Sequence, residues 1–168
     1  MNLSAGRGMS RQNPAAYVAI LEYVVRHSCV TRYGAMKSLG LSSGSAYHVL
    51  QQLVARGVLV RYDFGAAVVY CRPGVSQNAA LEHVLSAYGI KLQRLKKTLA
   101  DIVAGAKSRV IRIYPAKLAP GKPLAARLVA LYIMRLLDGA VLDKTSWRSS
   151  GVRESLLIDV QKARRRLG

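Results

Sequence analysis

A short polar stretch between two apolar runs holds the side chains best suited to contact another molecule. Residues 41–56, LSSGSAYHVLQQLVAR, begin with serines and continue with apolar residues at helical spacing, which predicts a helix capped by Ser42 or Ser43. Hydroxyl, imidazole and amide groups near its N-terminus can bind base edges or phosphates, and Gln suits adenine. The candidate contact residues of this helix are therefore Ser43, Ser45, Tyr47, His48 and Gln51. The alternative is an ordinary polar helix face.

The sequence contains few of the motifs that are typical of catalytic sites. The segment APGKP, residues 119–123, differs from a phosphate-binding loop because Ala116 stands where that motif needs glycine and Pro123 where it needs serine or threonine. His27, His48 and His83 lack the spacing of zinc ligands, and the eight acidic residues are scattered singly. We expect no enzyme activity, no cofactor and no metal site.

The elements around the polar stretch follow a simple order. Pro14 suits the first position of a helix, and Thr31 is a candidate cap for a second, short helix that ends at Gly40. The third helix should stop at Gly57. The segments VLVRYD and AAVVYCR on either side of FG then predict a β-hairpin.

The junction between the third helix and the hairpin carries a family resemblance. Leu50 and Leu53 are followed by RGVL, residues 56–59, and then by Arg61. With the order of elements over residues 14–74, this resembles the winged helix-turn-helix superfamily, and within it the MarR- or PadR-like regulators. The resemblance implies that the third helix reads DNA and that the hairpin is a wing, and it adds DNA contacts from Arg56, Arg61 and Arg72.

The wing tip departs from a DNA-gripping wing. Its sequence, YDFGAA, holds an aspartate and no base. The segment FGAAVVY therefore suits contact with a protein as well as contact with DNA, and winged helices also serve as protein-binding modules. A protein partner that binds through the wing stays open as an alternative.

The two cysteines, Cys29 and Cys71, form neither a CxxC pair nor a metal-ligand spacing. We expect them to pack as small apolar residues. A disulfide between them is the alternative, of a kind found in intracellular proteins of hyperthermophiles.

A heptad pattern follows the hairpin. Apolar residues recur at alternating steps of four and three, which predicts one long helix over residues 78–105. The pattern favours a dimerisation helix, and a helix packed on its own C-terminal domain is the alternative. The seam consists of Leu81, Leu85, Tyr88, Leu92, Leu95, Leu99 and Ile102.

The positive charge is concentrated in the second half of the chain. The formal net charge is +18; residues 1–75 hold eight basic and two acidic side chains, and residues 76–168 hold eighteen and six. Such an excess favours a polyanionic partner. Residues 123–137 predict a core helix, and residues 152–167 predict an amphipathic helix ending in Arg164, Arg165 and Arg166, which we expect to contact phosphates.

Together these features predict a mainly α protein with a small β-hairpin wing. A flexible arm (residues 1–13) precedes a winged helix-turn-helix (14–75), the heptad helix (78–105) and a basic helical C-terminal domain (106–168). We expect a homodimeric, archaeal-like protein that binds double-stranded DNA as a transcriptional regulator or chromatin-associated factor. The alternatives are a protein-interaction subunit of a replication or transcription assembly and an RNA-binding factor. The chain has no apolar run long enough to span a bilayer, so we expect a cytoplasmic, nucleoid-associated protein with no membrane contact.

Overall fold

A computed structural model describes residues 14–143 and 155–168. The chain is mainly helical, with two small three-stranded antiparallel sheets, and it divides into two compact units, Met1–Val84 and Leu85–Gly168. The arm predicted for residues 1–13 lies outside the described residues. Among the described residues, no helix is both long enough and apolar enough to cross a bilayer.

Three helices form the core of the first unit: α1 (Pro14–His27), α2 (Arg32–Leu39) and α3 (Ser43–Ala55). The two predicted caps are confirmed. The hydroxyl of Thr31 accepts a hydrogen bond from the Gly34 amide at 2.9 Å, and that of Ser42 accepts one from the Ser45 amide at 3.1 Å. Gly40 ends α2 with a φ of +68°, a conformation that glycine adopts at little cost. The apolar faces of all three helices meet in one core.

A three-stranded sheet completes this unit. Strands β2 (Val60–Asp63) and β3 (Val68–Cys71) form the predicted hairpin. Strand β1 (Cys29–Thr31), which we did not predict, pairs antiparallel with β3, so β3 is central. At three residues, β1 is too short to show an alternating pattern, which is why the sequence did not reveal it.

The expectation that the two cysteines are free is wrong. Cys29 and Cys71 face each other across β1 and β3, with their Cα atoms 4.0 Å apart, and form a buried disulfide. The alternative interpretation was therefore the right one. It could not be chosen from the sequence, because the partner strand β1 is not visible there.

The single long helix over residues 78–105 is also wrong. The chain forms α4 (Gln77–Ala87), which spans the boundary between the units, and then α5 (Leu92–Ala104). Gly89 separates them with a φ of +83°, and the Ile90 amide donates to the Leu85 carbonyl as in a helix C-terminal cap.

The leucines of the heptad seam are mostly buried within the chain itself. Leu81, Leu85, Leu95 and Leu99 are at most 5% exposed, whereas Tyr88 and Leu92 are half-buried and Ile102 is exposed. Most of the predicted dimerisation seam is therefore already used in the chain's own packing. The helix break explains why a heptad pattern arose without a coiled coil: two separate helices each bury one half of it.

The second unit contains a sheet as well as helices, whereas we expected a helical C-terminal domain. Strands β4 (Val110–Ile113), β5 (Val141–Asp143) and β6 (Leu156–Asp159) pair antiparallel in the order β4-β6-β5. A one-turn helix α6 (Pro115–Leu118) and the predicted core helix α7 (Pro123–Leu136) lie between β4 and β5. Leu128, Val129 and Ile133 of α7 are buried, as expected.

The last predicted helix begins later than expected. Within β6, Leu156 and Ile158 are buried whereas Leu157 and Asp159 are half-buried, which is the alternation of a strand. Helix α8 (Val160–Leu167) starts only after Asp159, whose carboxylate accepts a hydrogen bond from the Lys162 amide at 3.0 Å. Three apolar residues in a row, at positions 156–158, fitted either period in the sequence, and pairing with β4 and β5 selected the strand.

Candidate nucleic-acid interface

Helix α3 exposes a polar face and buries the opposite one. Ala46, Val49, Leu50 and Leu53 are buried in the first unit, which turns Tyr47, His48 and Gln51 outward. Ser43 and Ser45 lie half-buried at the N-terminus of the helix. Because Ser42 is the cap, neither hydroxyl is needed for that purpose, and the predicted contact residues of α3 share one accessible surface.

Arg32, which we did not predict, supplies the positive charge that α3 lacks. Its guanidinium donates a hydrogen bond to Ser43 Oγ and lies over the ring of Tyr47, 5.0 Å from the ring centroid. Such cation–π contacts hold a guanidinium in place while leaving it charged. Arg32 is the first residue of α2, so its position depends on how α2 and α3 pack together, which local sequence patterns do not show.

The β2–β3 hairpin brings a second arginine to the same surface. An open hollow of about 370 Å³ runs along α3 and is lined by Tyr47, Gln51, Val54, Ala55, Arg61 and Tyr70. Gln51 Nε2 donates to the Tyr47 hydroxyl at 3.3 Å, and the Tyr47 and His48 rings meet edge to face at 5.8 Å. Two arginines from neighbouring elements, Arg32 and Arg61, therefore lie near Tyr47 on the exposed face of α3.

The other predicted contacts of the first unit are placed differently. Arg56 lies 5.5 Å from the ring centroid of Tyr17, at the C-terminal end of α3. Arg72 is exposed just beyond β3, and its amide donates to the Ser28 carbonyl at 3.0 Å. Neither residue lines the hollow along α3. Arg61 is itself partly neutralised by Asp63, 3.4 Å away at an exposed position.

The wing tip presents less apolar surface than its sequence indicates. Phe64 is only 7% exposed and stacks near Tyr62, and Val69 and Tyr70 are buried. Asp63 accepts a hydrogen bond from the Gly65 amide at 2.8 Å, which closes the turn. Three residues of the segment FGAAVVY, namely Phe64, Val69 and Tyr70, thus pack in the unit's interior, and the other four are half-buried or exposed.

The three C-terminal arginines do not form one surface cluster with one role. Arg164 donates to the backbone carbonyls of Val103, Ala104 and Ala106 at 3.3, 3.4 and 3.0 Å, so it binds the C-terminal end of α5. A cation there satisfies carbonyls that the helix leaves unpaired. The predicted phosphate contact of Arg164 is therefore replaced by a structural one. Arg165 and Arg166 are exposed.

One histidine of the first unit has a shifted pKa. Burial lowers the pKa of His83 below its usual 6.5, and repulsion from His27 lowers it further. Neither residue lines the hollow along α3. Within residues 14–143 and 155–168, no three His, Cys, Asp or Glu side chains are grouped so as to hold a metal ion.

Comparisons with known proteins give one structural neighbour. No protein-family model and no curated protein matches the chain. A hypothetical protein of Pyrobaculum spherical virus, PyrSV_gp04, is 18% identical with a TM-score of 0.48, over 91% of this chain and 98% of that one.

Proposed function

We propose that this protein binds double-stranded DNA through a winged helix-turn-helix in its first unit, with α3 as the reading helix. The observation that carries the proposal is the exposed face of α3, on which Tyr47 contacts Arg32, Tyr47 and Gln51 line a hollow with Arg61, and His48 is exposed next to Tyr47. Polar side chains beside fixed cations combine the two requirements of DNA recognition, contact with base edges and contact with phosphates.

The order of elements supports the winged-helix assignment. Helix, strand, helix, helix, strand and strand follow one another over residues 14–71, and the hairpin strand β3 pairs with both β1 and β2. In proteins of this kind the second helix of the helix-turn-helix enters the major groove with its N-terminal residues. The corresponding helix here is α3, whose polar side chains extend from Ser43 at its N-terminus to Gln51.

The contacts can be assigned by chemistry. Gln51 can bind adenine through its amide, and His48 can bind a base edge through an imidazole nitrogen. Ser43 and Arg32, joined by a hydrogen bond at the N-terminus of α3, suit a phosphate oxygen. A protein of this design acts as a transcriptional regulator or as a chromatin-associated factor, depending on how strongly it prefers one DNA sequence.

Selection of bound sites from a pool of random duplexes tests the proposal. The wild-type protein should enrich a short motif. The double variant His48→Ala/Gln51→Ala should lose preference for that motif by about 1–3 kcal/mol for each specific pair, while its affinity for unselected duplex stays close to wild type. The control Gln93→Ala removes an exposed glutamine from α5 and should change nothing.

Two results would contradict the proposal. One is a double variant that binds every duplex as the wild type does, which would exclude α3 from the interface. The other is stronger competition by single-stranded or duplex RNA than by DNA at equal salt, which would favour the RNA-binding alternative.

A further inference from the structure

Four basic side chains surround one hollow in the second unit. The hollow has a volume of about 430 Å³, and its lining includes Lys91, Arg94, Lys117 and Lys122. Its lining includes no carboxylate among the residues that the structure describes. The buried side chains of Leu95 and Ala119 also line it.

Two turns bring these cations together. The first is the break between α4 and α5, which places Lys91 immediately before α5 and Arg94 in its first turn. The second is the segment from α6 to α7, in which Lys117 belongs to α6 and Lys122 directly precedes α7. Lys122 Nζ donates to the Tyr88 carbonyl at 2.9 Å and so joins the two turns.

Gly89 leaves room for this contact. A Cβ atom at Gly89 would lie 3.1 Å from Lys122 Nζ, and the φ of +83° disfavours any side chain there. The break at Gly89, which divides the predicted heptad helix into α4 and α5, therefore also forms part of the wall of the hollow.

Gathering four cations without a counter-charge is electrostatically unfavourable unless an anion occupies the space between them. Among the described residues, two exposed bases are paired with a carboxylate, Arg61 with Asp63 and Lys97 with Asp101, and none of the four around the hollow is. The amide groups at the starts of α5 and α7 add to the positive potential, since no side chain caps either helix. The size also fits, because small-molecule pockets start at roughly 300 Å³.

We infer that this hollow binds a phosphate group, held by Lys91, Arg94, Lys117 and Lys122. The phosphate is either that of a small phosphorylated molecule or that of a nucleic-acid backbone, since both present the same oxygens to the same cations. The inference does not depend on DNA reading by α3, because every residue that it uses lies in the second unit.

The test is an NMR titration of the labelled protein with inorganic pyrophosphate, adenosine monophosphate and a short DNA duplex, each against sodium chloride at equal ionic strength. The amides around residues 89–98 and 117–124 should shift and saturate. Arg94→Gln and Lys117→Gln should each weaken binding roughly tenfold or more, as expected for loss of a charge-assisted hydrogen bond. Lys107→Gln makes the same charge change at an exposed position outside the hollow and should bind as wild type.

The three ligands separate the sources of the phosphate. Saturation by pyrophosphate or the nucleotide indicates a small phosphorylated ligand, and saturation by the duplex alone indicates a backbone phosphate. The inference is overturned if no ligand shifts these amides, or if Lys107→Gln weakens binding as much as Arg94→Gln does. Melting temperatures of the variants close to wild type show that they fold. A negative result in this titration would not change the result expected for His48→Ala/Gln51→Ala. Each proposal can therefore be contradicted independently of the other.

Discussion

The two units use their basic residues in different ways. In the first unit, bases around α3 are held one at a time by a tyrosine ring or a carboxylate: Arg32 by Tyr47, Lys37 by Tyr33, Arg56 by Tyr17 and Arg61 by Asp63. In the second unit, Lys97 is also held by Asp101 and Lys117 by Tyr114, but four bases, Lys117 among them, surround one hollow whose lining, within the described part of the chain, includes no acid.

The difference shows why net charge alone is a poor guide to a binding surface. The second half of the chain carries most of the charge, yet one of its most conspicuous bases, Arg164, is bound to backbone carbonyls. The first half carries less charge but places Arg32 and Arg61 near Tyr47 on the α3 polar face. Placement of single charges, rather than their sum, distinguishes the surface that we propose for DNA reading from the hollow that we propose for phosphate binding.

The largest expected effect is a loss of stability in the first unit that the second unit does not share. The disulfide closes a loop of 42 residues within the first unit, and the second unit contains no cysteine. Loop-closure entropy for this length corresponds to about 4 kcal/mol, or a melting shift of roughly 15–30 °C for a domain of this size. Calorimetry of Cys29→Ser/Cys71→Ser should show one transition shifted down and the other in place. Two transitions that move together would show that the units do not unfold independently.

The next effect distinguishes Arg164, which binds backbone carbonyls, from the adjacent Arg165. Arg164→Ala removes three hydrogen bonds to the end of α5 and should lower the free energy of unfolding by about 1–2 kcal/mol. The adjacent exposed Arg165→Ala should stay within about 0.5 kcal/mol of wild type. Denaturant unfolding measures both. Equal losses would mean that Arg164 contributes only through charge.

A smaller effect concerns Arg32, whose guanidinium lies over the ring of Tyr47. Arg32→Gln should reduce the slope of log affinity for duplex DNA against log salt by about one, as expected when one phosphate contact is lost. Lys37→Gln is the matched control, since Lys37 lies on the same helix and also contacts a tyrosine ring. If both variants change the slope equally, α2 attracts DNA in general rather than through Arg32.

The smallest effect is a pH dependence of the first unit. Because burial lowers the pKa of His83 in the folded state, the unfolded chain binds that proton more readily. The stability is therefore full above the unfolded pKa of about 6.5 and declines as the pH falls below it. Unfolding free energies between about pH 7 and pH 5 should decline less steeply in His83→Gln than in wild type, with His48→Gln as the control for an exposed imidazole. If the unfolding free energy of His83→Gln declines with falling pH as steeply as that of wild type, His83 is not the source of the pH dependence.

The sequence predicted those features that depend on neighbouring residues. The caps at Thr31 and Ser42, the end of α2 at Gly40 and the hairpin after Gly57 all depend on hydrogen bonds or backbone preferences within a few positions. The outward face of α3 also follows from helical spacing alone. Its residues Tyr47, His48 and Gln51 were therefore placed correctly on one surface.

Features that depend on distant packing were missed. Strand β1 and its disulfide need β3, and strand β6 needs β4 and β5 on either side. The heptad pattern did not reveal the break at Gly89, because two helices that bury successive halves of a seam produce the same spacing as one long helix. Arg32 reaches α3, and Arg164 reaches α5, across distances in sequence that local patterns do not span.

The most direct test of DNA reading by α3 is to observe the protein while it binds its selected duplex. In NMR spectra of the labelled protein, addition of the duplex should shift most strongly the backbone amides of residues 43–51 and the side-chain amide of Gln51. An unrelated duplex of equal length at equal salt should shift the Gln51 side chain much less, since base contacts and not phosphate contacts differ between the two. If the selected duplex leaves residues 43–51 unshifted and perturbs only the second unit, α3 does not read DNA.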